Sequence, residues 1–225
     1  MTFLYLDIET IPAQGKAAKE RIASTIKPPA QMKKADTIAA WEKDGKEQAV
    51  LDAIDKTSFD GGMGHVCCIG WADGKNQPQS YSVVDFSLEE EAEMIDHFFS
   101  AVHGETSWSS PPTLVGHYIS GFDIRFITQR AIVLGIRLPN WWPHEAKPWG
   151  NEIFDTMVKW AGAKGTVSLD NLCFALGIEG KGDIDGSMIA QMFKNGKHEE
   201  IATYCRQDVE RVRQVHKKMI AAFGE

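Results

Sequence analysis

Two acids near the start of the chain, Asp7 and Glu9, close an otherwise apolar run, Phe3-Leu4-Tyr5-Leu6-Asp7-Ile8-Glu9. Residues two apart in a strand point to the same face, so Phe3, Tyr5, Asp7 and Glu9 share one face and Leu4, Leu6 and Ile8 the other. The α-carbons of the two acids would then stand roughly 7 Å apart. Like charges so close, at the end of a strand covered on both faces, repel and raise each other's pKa unless a cation compensates. Hard carboxylate oxygens suit Mg²⁺ or Mn²⁺. The plainer reading is a strand that has reached solvent with both acids wet.

A second acid out of place lies near the C-terminus. Ile201, Cys205, Val212, Val215 and Met219 form the apolar stripe of a helix over 197–222, and Asp208 falls in its longest gap. Tyr204 lies one turn earlier on nearly the same side. Glu199, Arg206, Glu210, Arg211, Arg213 and Lys217 fall on the flanks, so polar positions exist elsewhere on this helix. A lone buried carboxylate costs several kcal/mol unless it is paired or coordinated. An arginine such as Arg211 or Arg130 is the alternative to a metal here. Asp123, in Gly121-Phe122-Asp123-Ile124, opens a helix just past a short strand, where open α/β sheets gather ligands. Taken singly, it suits the helix dipole and needs no function.

The elements that must position these acids follow from pattern. With 225 residues, 43% hydrophobic, the chain suffices for one sizeable domain over 1–225. At 24% charged residues, dominant disorder is excluded. Lys plus Arg is 24 against 31 Asp plus Glu, a net charge of -7, which excludes a broadly basic nucleic-acid coat but leaves room for a local basic track. No apolar run reaches the length of a bilayer span, and acids within the first nine residues are unlike a signal peptide. A soluble, cytoplasmic protein with no membrane partner is expected. Cys67, Cys68, Cys173 and Cys205 show neither disulfide nor zinc spacing and read as small buried hydrophobes.

Residues 2–8 read as a central strand and 13–60 as a mostly helical insertion, with helical stretches near 15–26 and 36–55. A hairpin is expected over 65–84, its turn at 72–76. Ser87-Leu88-Glu89-Glu90 has the capping-box pattern for a helix through Val102, ended at Gly104. Residues 113–116 form a short buried strand leading into a helix over about 122–134. Residues 139–150 are an irregular loop anchored by tryptophans, Ser168 and Asp185 each start a helix, and 197–222 is the last. Strands followed by alternating helix and strand argue for an α/β mixed sheet flanked by helices.

Asp7-Ile8-Glu9-Thr10, Gly121-Phe122-Asp123 and Tyr204-Cys205-Arg206-Gln207-Asp208 resemble, in order, the three motifs of the DEDD exonuclease superfamily. Tyrosine four before the last aspartate is the DEDDy pattern; the histidine of the DEDDh pattern would stand at 203, which is Thr. The nearest resemblance is to stand-alone exonucleases similar to the proofreading domain of family B DNA polymerases. It extends to Gly116-His117, Ser168–Leu172, Asp185-Gly186-Ser187 and the last helix, and omits the 13–60 insertion and parts of the tryptophan loop. Such families usually carry Asn five before the second aspartate, where this chain has Tyr118.

The resemblance implies an RNase H-like fold that brings Asp7, Glu9, Asp123 and Asp208 around two divalent cations, Mg²⁺ or Mn²⁺, about 3.5–4 Å apart. Asp7 would bridge the ions, Glu9 and Asp208 complete one shell and Asp123 support the other. Tyr204 would orient the attacking water, because a phenol of ordinary pKa near 10 is a poor base at neutral pH. Thr10, Ile11, His117 and Phe122 would contact the nucleic acid. The implied activity is 3'→5' hydrolysis of terminal phosphodiesters of DNA, at single-stranded or frayed ends, releasing nucleoside 5'-monophosphates. An exoribonuclease of the same fold, or a nucleic-acid-binding module without turnover, are the alternatives; a DNA polymerase or repair partner would be met in trans.

Milder features remain. Residues 13–36 carry Lys16, Lys19, Arg21, Lys27, Lys33 and Lys34 against Glu20 and Asp36, a phosphate-gripping arm or a solvated face. Trp141, Trp142 and Trp149 anchor their loop or stack on bases. Ile11 and Pro12 press on a terminal base or pack. Asp155 is expected to cap a helix.

Overall fold

The computed structural model describes residues 2–74, 76–104, 110–180 and 182–224. Its centre is β1 (Phe3–Ile11), flanked by β2 (His65–Asp73) and β4 (Thr113–Gly116). With β3 (Gln79–Ser82) and β5 (Ile153–Asp155) the described strands form one sheet in the order β3-β2-β1-β4-β5. β1 is antiparallel to β2 and parallel to β4, so the sheet is mixed, as expected. The β2–β3 hairpin is also as read from sequence; of its turn, Lys75 lies outside the described residues. β5 was not foreseen: its three residues are too few to show a period, and Asp155 signals only the helix that follows.

The two faces of β1 are covered as its alternation demands. Leu4, Leu6 and Ile8 join the core beneath α4 (Leu88–Gly104) and α5 (Asp123–Leu134). Tyr5 joins the core beneath α7 (Leu169–Leu176) and α9 (His198–Phe223). Ile11 joins a third cluster with α8 (Ile189–Lys194) and the first turns of α9. Each large side chain so buried contributes about 1.5–3 kcal/mol of transfer free energy, and a one-residue slip of β1 would exchange the faces and turn Asp7 and Glu9 toward the core beneath α4 and α5.

Local signals set the element ends. Ser87 Oγ accepts from Glu90 N at 3.0 Å, half of the capping box. Ser168 caps α7 through Asn171 N, and Asp185 caps a 3-10 turn that runs into α8. The insertion folds as α1 (Lys16–Thr25), α2 (Ala35–Asp44), α3 (Lys46–Asp55) and a 3-10 turn over Lys56–Phe59. The expected 36–55 helix is thus two, divided at Gly45, where a side chain would strike Trp41. Its end is tied to the sheet: Thr57 Oγ1 accepts from Ala13 N, and Thr10 Oγ1 donates to Ser58 O. Trp142 is buried, with its Nε1 donating to Thr128 Oγ1, and Trp141 packs beside it against Phe98 and Phe99. Trp149, at 67% exposure, does not share that anchoring role. Among the described residues, no helix is long and apolar enough to cross a membrane.

Candidate metal centre

β4 runs beside β1 only over Phe3–Tyr5. Past that point the edge of β1 is free for another element, and α5 fills it. Asp123, in the first turn of α5, accepts a hydrogen bond from Ile8 N at 3.1 Å. A helix end thereby satisfies a backbone donor that β4 leaves unmatched, and it sets a third carboxylate near Asp7. Asp123 is buried. Burial, then the Asp7 charge, push its carboxyl well above the ordinary carboxylate range.

Carboxylate oxygens of Asp7 and Glu9 converge with the Cys205 sulfur, all within 4.8 Å of one another. Asp123 and Asp208 stand outside that group. Glu9 and Cys205 are buried and Asp7 half-buried. Asp208 is buried one turn beyond Cys205 and meets a cation already in the protein: Arg211 Nη1 donates to its Oδ1 at 2.8 Å, while Arg211 Nη2 donates to Gly180 O. The arginine alternative set out for Asp208 is therefore the arrangement present. Arg211 and Arg213, expected on the exposed flank, are both buried; Arg213 pairs with Glu210 and donates to the carbonyls of Gly74 and Asn76. Arg213 reaches the β2–β3 turn and Arg211 the backbone at Gly180, contacts that no helical period can reveal.

The second motif sits on a loop held by one acid. Asp155, fully buried at the end of β5, accepts from Tyr118 N, Ser120 N and Ser120 Oγ on one side. On the other it accepts from Met157 N and Val158 N, capping α6 (Thr156–Ala161). The expected cap is present, and the second half of its work, bracing the loop that delivers Asp123, was missed because Tyr118 and Asp155 are far apart in sequence. Tyr118 has φ 61°, the left-handed region that suits Asn or Gly, and its ring lies over Gly121, where a Cβ would come within 2.3 Å of it. Asn would sit in that backbone conformation with less strain than Tyr118 does.

The predicted nucleic-acid contacts divide. Phe122 lines a hollow of about 230 Å³ with Phe59, Asp60 and Arg125. Thr10 lines a larger groove of about 490 Å³ with Pro12, Lys56, Phe59, Ser187 and Lys194. Ile11, 1% exposed, packs in the core and presents nothing to a base. His117 is engaged within the protein, Nδ1 3.0 Å from Thr156 Oγ1 and Nε2 2.8 Å from Val167 O. Phe59 was not foreseen. It is 75% exposed, borders both hollows and stands 6.4 Å, centroid to centroid, from Phe122. Its only sequence signal is a lone aromatic ending a polar insertion.

Acids thus gather toward one end of the central strand of a mixed sheet. Residues 63–222 match a family model described as a predicted 3'-5' exonuclease related to the exonuclease domain of PolB. The chain belongs to that family and is a predicted 3'-5' exonuclease. It is similar in structure to the family B DNA polymerase from the hyperthermophilic archaeon Pyrobaculum calidifontis, with a TM-score of 0.60 and 15% identity. The match covers 98% of this chain but 24% of that polymerase. No curated protein sequence matches the chain.

Proposed function

We propose that the chain hydrolyses terminal phosphodiesters of DNA from the 3' end by a metal-dependent DEDDy mechanism, acting on single-stranded or frayed ends and releasing nucleoside 5'-monophosphates. The observation that carries this reading is the gathering of Asp7, Glu9 and Asp123 at one end of the central strand, with the Asp123 carboxyl driven up by burial and by Asp7. Hard carboxylate oxygens crowded at one place are a donor set that fits Mg²⁺ or Mn²⁺. Such ions, when bound, supply the Lewis acidity that phosphodiester hydrolysis requires.

The residues then have distinct tasks. Asp7 and Glu9 hold the ions, with Asp123 supporting them from α5. Asp208 joins by sharing or releasing Arg211, whose charge holds that carboxylate in place meanwhile. The Tyr204 hydroxyl orients the attacking water. The groove beneath the insertion supports an unpaired strand: Phe59 offers a ring face to a base, and Lys56 and Lys194, set among Asp52 and Asp55, can reach its phosphates.

End-labelled single-stranded DNA, duplex DNA and RNA, incubated with the protein and Mg²⁺, Mn²⁺ or chelator, test the proposal. Stepwise shortening of single-stranded DNA from its 3' end, stopped by chelator, is the expected result. Cleavage that persists without metal, or proceeds from the 5' end, overturns it. Preferential shortening of RNA transfers the site to the exoribonuclease alternative.

A further inference from the structure

We infer that the Cys205 thiol is a donor toward the metal of this centre, so that Asp7, Glu9 and Cys205 together hold a thiophilic divalent ion, Zn²⁺ or Cd²⁺, more tightly than the acids alone. The inference rests on the acidic pair being the metal site proposed above, but not on turnover.

Geometry points the sulfur at the acids. The three donor atoms lie within 4.8 Å of one another, a span that one ion with bonds of ~2.3 Å can bridge after modest adjustment of the side chains. Cys205 is fully buried, and its Sγ lies 3.4 Å from the Asp7 carbonyl oxygen, which accepts its proton. The strand beside Asp7 leaves room for it. Residue 70, paired with Asp7 across the sheet, is glycine, and a Cβ there would stand 2.7 Å from Sγ and 3.2 Å from Val209 Cγ2. Any larger residue would displace the thiol from the acids.

Chemistry then separates the ions. Mg²⁺ is a hard cation that takes oxygen ligands, and thiol sulfur is a soft donor, so Cys205 adds nothing to its binding. A thiophilic ion forms a sulfur–metal bond as the S–H bond breaks, and the proton leaves to solvent; no atom changes oxidation state. Oxygen-only binding serves Mg²⁺ and Mn²⁺, whereas sulfur adds affinity for Zn²⁺ and Cd²⁺ and makes them occupants that displace the working ion.

The test is a Cd²⁺ titration of the metal-free protein, followed by the ultraviolet sulfur-to-cadmium charge-transfer band, with Cys205→Ser, Cys205→Ala, Cys68→Ser and Asp7→Asn alongside. A one-equivalent band in the wild type and in Cys68→Ser, absent from both Cys205 variants, is expected. Asp7→Asn, which keeps the packing, should weaken Cd²⁺ binding at least as much as losing an outer-shell partner does, about 10–100-fold. In parallel, the Zn²⁺ concentration that halves Mg²⁺-driven digestion, scaled to each variant's own zinc-free rate, should rise by a similar factor in Cys205→Ser. No band in the wild type, a band that survives in a folded Cys205 variant, or a band unaffected by Asp7→Asn overturns the inference. A wild type that shows the band but digests nothing overturns the proposed function and upholds the thiol site.

Discussion

Two buried acids in this fold keep opposite company. Glu91, on α4, accepts from Val66 N and Arg130 Nε through Oε1 and from Arg130 Nη2 through Oε2, with His65 Nδ1 3.0 Å away. Arg130 also donates to Gly61 O, tying the end of the insertion to the core. Burial works to raise the Glu91 pKa, but the hydrogen bonds from His65 and Arg130 outweigh it and the net shift is downward. Asp123 is as deeply buried, yet the charges that act on it are those of Asp7 and Asp155, and its carboxyl is pushed up. Burial is common to both; the sign of the neighbours decides. A charge neutralised within the fold serves the fold, whereas acids set among acids keep a standing demand for a cation.

Substitutions can break or sharpen that contrast. Asp7→Ala should lower the rate of 3' shortening by at least about 10³-fold, the equivalent of about 4 kcal/mol of transition-state stabilisation, while metal-free thermal melting shows no loss of fold. Glu91→Ala should do the reverse. Leaving Arg130 buried without its carboxylate costs about 3–5 kcal/mol, read as a lower urea midpoint. The sign with pH follows from the depressed pKa. The stability Glu91 contributes is complete above the ordinary glutamate value of 4.5 and is lost as pH falls through the lower native value, so acid unfolding should begin at higher pH in a Glu91→Gln variant.

Asp123 carries the opposite sign. Its raised native pKa means that stability is lost as pH rises above the ordinary aspartate value of 3.8, because the unfolded chain ionises there first. Asp123→Asn keeps an acceptor for Ile8 N and should stabilise the metal-free protein at neutral pH by about 1 kcal/mol, while abolishing digestion. Equal melting of the two proteins would remove the electrostatic distinction from Glu91. The smallest effect belongs to Tyr118→Asn, which relieves the left-handed backbone at φ 61°. A gain of at most about 1 kcal/mol, or about 2–4 °C in melting temperature, is expected.

The legible parts of this molecule are those set by short periods. The alternation of Phe3–Glu9 already assigns the two faces of β1, and the α9 stripe already places Asp208 inward. Ser87, Ser168 and Asp185 mark helix starts because a cap needs only three or four consecutive residues. The partners of those inward groups were legible only where they lie nearby: Arg211, one turn along the same helix, was one of two arginines open to Asp208. That Asp155 braces the Asp123 loop and that Phe59 stands between two hollows each depend on segments brought together from afar.

Cysteine shows the division most plainly. By spacing alone Cys205 is one more small apolar residue on a helical stripe, and that remains true of its helix. Its place beside Asp7 depends on which strand α9 covers and on a glycine at position 70. Sequence by itself determined which acids and which apolar faces must leave water, since periodicity and charge are local properties of the chain. Only the tertiary structure decided which of those acids meet a cation within the protein and which meet one another, because Coulomb energy depends on distance in space, not along the chain.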